Sequence, residues 1–160
     1  MDRQASPAPS PAFVGASWSA LLLGAASFLI GLWQLPVALS EKGYYFVLLL
    51  YGLFAAVSVQ KAVRDRMEGI RVTGLYYGLA WFSVLSALLL LAVGLWNATL
   101  PYSTRGFFGM AYALALFAAI AVQKNTRDAL AGGDGDAPAE PVRPFWRPQP
   151  PDPARERDAA

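Results

Sequence analysis

Side chains able to do chemistry gather in two short polar motifs. Gln60-Lys61-x-x-Arg64-Asp65 recurs as Gln123-Lys124-x-x-Arg127-Asp128, 63 residues further along the chain. On a helix, residues i and i+4 share a face, so Lys61 is placed to reach Asp65 and Gln60 to lie beside Arg64. The second copy repeats that arrangement. Cations grouped at a helix C-terminal end complement the partial negative charge of its unpaired carbonyls. They also present hydrogen-bond donors to anionic groups outside the chain. Covalent chemistry finds no such support. Cys and His are absent, which removes disulfides, thiolate and imidazole metal sites and histidine acid/base catalysis. The acids of the apolar region and its loops, Glu41, Asp65, Glu68 and Asp128, form no acid/base pair. No phosphate loop, serine elbow or H-E-x-x-H run occurs. Neither a catalytic site nor a cofactor or metal site is expected.

The elements that carry these motifs are unusually apolar. Of 160 residues, 56% are hydrophobic and 15% charged, against about 25% charged in a soluble domain. Charges avoid four stretches: 13–33, 43–59, 72–100 and 106–123. At 1.5 Å rise per residue the first makes a helix about 31 Å long, matching a hydrocarbon core of about 30 Å. Its apolar core exceeds that of a signal peptide, and no A-x-A site follows. The second and fourth runs are shorter and are expected to continue as helix into a polar turn, ending near Gly69 and Gly132 at glycine C-caps. A Pro/Ser/Ala-rich leader over 1–12 and a Pro-rich tail over 133–160 have too little to bury and are expected to be disordered. The fold class is therefore an all-α membrane protein with four transmembrane helices.

Orientation follows from the cations. Only Lys42 and Arg105 lie in the loops after the first and third spans, and the other eleven of thirteen Lys and Arg fall on the opposite side. The positive-inside rule makes that side cytoplasmic, with both termini inside. A net charge of +2 gives no case for nucleic acid. Trp33, Tyr44, Tyr45, Trp96, Phe107 and Phe108 mark the outer edge, where aromatic side chains suit the headgroup layer.

A shift of 63 residues superposes the two halves without a gap. Gly31-Leu32-Trp33 falls on Gly94-Leu95-Trp96, Gly43-Tyr44-Tyr45 on Gly106-Phe107-Phe108, and Leu53-Phe54-Ala55-Ala56 on Leu116-Phe117-Ala118-Ala119. Trp18 falls on Trp81 and Gly69 on Gly132. Shared greasiness does not produce matches in Trp, Gln, Lys, Arg and Asp. The chain thus reads as two tandem helical hairpins, 13–69 and 70–132. Even-numbered units have parallel topology, related by a pseudo-twofold axis along the membrane normal. Together, the Gly-Leu-Trp-Asn-Ala-Thr-Leu run at 94–100, the Glu-Lys-Gly-Tyr-Tyr run at 41–45 and the paired Gln-Lys-x-x-Arg-Asp motifs resemble the YiaA/YiaB family of bacterial inner-membrane proteins. That family is built from the YiaAB two-helix domain, and the likeness covers residues 13–131 with two copies, as in its YiaA branch. It implies four spans in the bacterial inner membrane and a loose link to envelope or stress physiology, but no activity. Thr104-Arg105 departs from the family's Glu-Lys in the second outer loop.

In a bilayer the two motifs have two open readings. One is a topology anchor that sets helix depth. The other is a paired cytoplasmic site for anionic lipid or an envelope protein, and the repeated Gln and Asp exceed what an anchor requires. Small residues at Ala16, Ala20 and Gly24, at Gly52 and Ala56, and at Ala115 and Ala119 allow close helix approach. That approach serves packing within the bundle or association of two copies. The reading is a non-catalytic integral membrane protein acting through lipid or protein interaction. The alternative is a small passive or oligomeric transporter for a neutral solute, along hydroxyls such as Ser17, Ser83 and Ser86. No span carries the ionisable group that coupled transport uses.

Overall fold

The structure, a computed structural model, describes residues 10–133, with side chains described through Ala129. Of the leader expected to be disordered over 1–12, residues 1–9 lie outside the described residues, as does the tail after Gly133, whereas Ser10 caps a helix that already includes Pro11 and Ala12. Four helices follow in order: α1 Pro11–Gln34, α2 Leu39–Met67, α3 Gly74–Asn97 and α4 Tyr102–Gly133. All four are long and apolar enough to cross a membrane.

Local chemistry sets their ends. Pro11 takes the first turn of α1, where its missing N–H costs nothing, and Ser10 Oγ accepts from Phe13 N at 3.3 Å. That cap starts α1 two residues before the apolar run. Thr73 caps α3 in the same way, through Tyr76 N. Past α2, Gly69 adopts φ +76°. Gly69 N donates to Arg66 O at 3.3 Å and Ile70 N to Asp65 O at 2.9 Å, the paired bonds of a Schellman cap.

Helices α2 and α4 each begin four residues before the charge-free runs that announced them, taking Lys42 and Arg105 into their first turns. These cations are repeat mates and do the same work. Lys42 Nζ donates to Trp33 O at 2.7 Å. Arg105 donates to Trp96 O at 3.4 Å, Ala98 O at 2.6 Å and Leu100 O at 2.9 Å. Each thereby satisfies carbonyls left open at the end of the preceding helix.

Packing crosses between the repeats. Helix α1 lies chiefly on α4 and α3 chiefly on α2, while α2 and α4 pack together between them. Of the helix pairs that touch, the two helices of one hairpin touch each other least. Each hairpin is a unit of sequence, and the unit of packing takes one helix from each.

Glycine shows how the exchange works. A Cβ on Gly31 would stand 2.9 Å from Phe107 and 3.2 Å from Phe108, and one on Gly94 2.9 Å from Tyr44 and 3.4 Å from Tyr45. The aromatic pair of each repeat thus sits on the glycine of the other, which is the pseudo-twofold written in contacts. Tyr45 and Phe108 are consequently buried, at 6% and 2% exposure, rather than facing headgroups as their position predicts. Phe108 meets Phe28 edge-on at 5.1 Å and stacks with Tyr45 at 6.5 Å. Adjacent residues on a helix point about 100° apart, so where Tyr44 and Phe107 turn outward, Tyr45 and Phe108 turn into the bundle. Trp33 and Trp96, at 80% and 82% exposure, do face outward, with Tyr44 and Phe107 partly exposed beside them.

The small residues differ in burial. Gly24, Gly52, Ala56, Ala115 and Ala119 are buried. At Gly24 α1 comes so near α4 that a Cβ would stand 2.7 Å from Ala115 N. Gly52 leaves the space that Tyr112 occupies, and Tyr112 Oη donates to Leu48 O at 3.2 Å. Ala20 is half-buried and Ala16 exposed. Ser17 carries the buried stripe in its place, because the α1 face that meets α4 is rotated by one residue.

Candidate functional site

Small residues bring the motifs together. Ala55, Ala56, Ala115, Ala118 and Ala119 are all buried, and they let the inner pair α2 and α4 run close enough for their polar ends to meet. Gln60 Nε2 donates across that pair to Ile120 O at 3.3 Å. About two turns further out, Arg127 Nη1 donates to Glu68 Oε1 at 2.7 Å, joining residues 59 positions apart in sequence.

Arginines order the remaining contacts. Arg64 Nη2 pairs with Asp65 at 2.8 Å, and its Nε lies 3.7 Å from Glu68 Oε1. Arg127 also approaches Asp128, at 3.6 Å. The expected Lys61–Asp65 pair does not form among the described residues. Asp65 is held by Arg64, and Lys61 is exposed at the edge of the cluster, as is Lys124. Arg66 lies over the Tyr77 ring at 4.8 Å. Among the described residues, this end carries six cations, Lys61, Arg64, Arg66, Arg71, Lys124 and Arg127, and three acids, Asp65, Glu68 and Asp128, a net positive charge.

Among the described residues, three buried polar atoms in the motifs have no hydrogen-bond partner: Gln60 Oε1, Gln123 Oε1 and Arg64 Nε. An unmade hydrogen bond at a buried group costs about 1–3 kcal/mol; the two glutamine oxygens are acceptors and Arg64 Nε is a donor. Beside them a cavity of about 520 Å³ opens between α2, α3 and α4, reached by Gln60, Arg64 and Glu68.

Two further polar residues escape a reading by motif. Asn125 is 2% exposed, and its Nδ2 donates to Ser17 Oγ at 2.9 Å. Ser17 Oγ in turn donates to Phe13 O at 2.8 Å. Their repeat mates are Ala62 and Ala80, which share one apolar cluster. The polar pair ties α1 to α4 where an alanine pair joins α2 to α3. A comparison of repeats for paired differences, rather than for matches, exposes it from sequence. Glu68 is the other: its mate is Ala131, so the link to Arg127 is made once and not twice.

The yiaA/B two helix domain family model matches residues 13–65 and again 76–128. The chain belongs to this family. The two matched segments begin 63 residues apart, the offset of the internal repeat, so each YiaAB domain holds one outer helix, one inner helix and one copy of the polar motif. The chain is also similar to Inner membrane protein YiaA of Escherichia coli (strain K12), 53% identical over 120 residues that span 75% of this chain and 83% of that protein. No solved structure matches it. Both YiaAB domains end their match on the motif aspartate, Asp65 and Asp128. Glu68, which bridges the two copies, lies just beyond the first match.

Proposed function

We propose that this is a non-catalytic, multi-pass protein of the bacterial inner membrane. In this reading both termini face the cytoplasm, and the two YiaAB motifs form one site for anionic lipid. The sequence units end near Gly69 and Gly132. One observation carries the reading: the two copies meet at a single net-positive end of the bundle, through Gln60–Ile120 at 3.3 Å and Arg127–Glu68 at 2.7 Å. A depth anchor needs cations on each helix separately. It does not need them joined.

A solute path along hydroxyls has less support. Ser17 donates to Phe13 O and Ser83 to Leu79 O, both at 2.8 Å, and Ser17 also accepts from Asn125, so the hydroxyl hydrogens of both serines are already used inside the protein.

Charge reversal tests the site. Arg64→Glu with Arg127→Glu, in reconstituted full-length protein, is expected to weaken retention of anionic phospholipid by at least about tenfold, at about 1 kcal/mol per cation lost. Unchanged retention leaves the motifs as anchors, and loss of a co-purifying protein instead makes the site a partner surface. Because the chain has no cysteine, single cysteines can map orientation directly. A thiol at Ile70 is expected to label from the cytoplasmic side and one at Thr99 from the outside.

A further inference from the structure

The repeats are equivalent in sequence but not in how tightly they close. On one side, Gly24 brings α1 against the Ala115 backbone and Asn125 bonds Ser17 near the motif end. On the other, the mates are Ala87, Ala62 and Ala80, with no such bond among the described residues. That second side holds the 520 Å³ cavity, with Val63, Trp81 and Ile120 on its apolar walls and Gln60, Arg64 and Glu68 at its polar end.

We propose that this groove seats one acyl chain of an anionic glycerophospholipid, with the headgroup at Gln60 and Arg64. The proposal rests on the lipid-binding reading above and narrows it to one side of the pseudo-twofold. Position and charge select the occupant. In the orientation proposed above, this end of the bundle meets the inner leaflet, and the apolar wall of the groove, Val63, Trp81 and Ile120, would face lipid there. Its polar end lies in a cluster with, among the described residues, twice as many cations as acids. Arg64 Nε is a buried donor without an acceptor among the described residues, Glu68 standing 3.7 Å away and engaged by Arg127 at 2.7 Å. A phosphate oxygen supplies that acceptor. Gln60 Oε1 is a buried acceptor without a donor, which a headgroup hydroxyl supplies. Trp18, the mate of Trp81, lies on the closed side and is expected to see no such lipid.

Tryptophan quenching by brominated acyl chains reads this directly. Full-length protein carrying only Trp81 or only Trp18, the other four tryptophans replaced by Phe, is placed in phosphatidylcholine nanodiscs. Brominated phosphatidylglycerol or brominated phosphatidylcholine is then titrated in. Quenching at Trp81 is expected to favour phosphatidylglycerol by about fivefold or more, at Trp18 not at all, and Arg64→Gln is expected to abolish the preference. Equal preference at both tryptophans overturns the groove and leaves a diffuse anionic shell around the motifs. Preference at Trp81 that survives Arg64→Gln also overturns it. No preference anywhere removes the lipid-binding reading itself. An unchanged helical spectrum and unchanged phosphatidylcholine quenching in Arg64→Gln separate a lost site from a lost fold.

Discussion

Gly24→Ala is the sharpest probe of packing across the repeats. The added methyl would stand 2.7 Å from Ala115 N, 3.0 Å from Ala115 Cα and 3.1 Å from Ala111 O. All three are backbone atoms and cannot rotate aside. Carbon contacts are comfortable at about 3.5–4.0 Å, so α1 must withdraw from α4 by about 1 Å along this stretch. Overpacking of this kind costs about 1–3 kcal/mol. Replacing helical Gly by Ala returns about 0.8–1.0 kcal/mol, leaving a net loss of about 1 kcal/mol. Gly15 supplies the control, because it lies on the same helix with nothing within 4 Å of an added Cβ. Gly15→Ala is expected to gain up to about 1 kcal/mol from propensity alone. The difference between the two variants cancels the propensity contribution and isolates the steric cost. Unfolding by SDS in mixed micelles, followed by tryptophan fluorescence, measures both. Equal shifts for Gly24→Ala and Gly15→Ala would refute the close approach of α1 to α4.

Because α1 packs on α4 and α3 on α2, segments 1–69 and 70–160 expressed together are expected to co-purify through a tag on either one. Each expressed alone should be degraded or aggregated, and failure of the pair to associate would refute the exchange. Ser17→Ala leaves the buried Asn125 amide unpaired and is expected to cost about 1–3 kcal/mol. Adding Asn125→Ala should cost little more, since Ala62 and Ala80 fill the equivalent place. The coupling is expected near 0.6 kcal/mol and below about 1.7 kcal/mol; strictly additive effects would show that the two do not interact. Arg105→Ala removes three carbonyl contacts where Lys42→Ala removes one. Its loss in thermal stability should therefore be the larger, and the reverse order would contradict the capping role.

Four crossings, their order and their duplication were all legible in the chain itself. Long charge-free runs can satisfy their backbone groups in a bilayer only as helices, and a repeat that preserves Trp, Gln and Arg reports homology rather than hydrophobicity. The motif pair was legible for the same reason. Sequence could not say which helices would touch, because apolar side chains are equally at ease against lipid and against protein. Shape decides instead. Gly31 and Gly94 matched in the alignment of the repeats, but only the bundle shows that each accepts the other repeat's aromatic pair, drawing Tyr45 and Phe108 inward. Tertiary structure likewise reassigned Asp65 from Lys61 to Arg64, brought Glu68 across to Arg127, and buried Asn125 against Ser17. These contacts join residues from different helices or compete within one helix face, so their partners are settled by the geometry of packing and not by spacing along the chain.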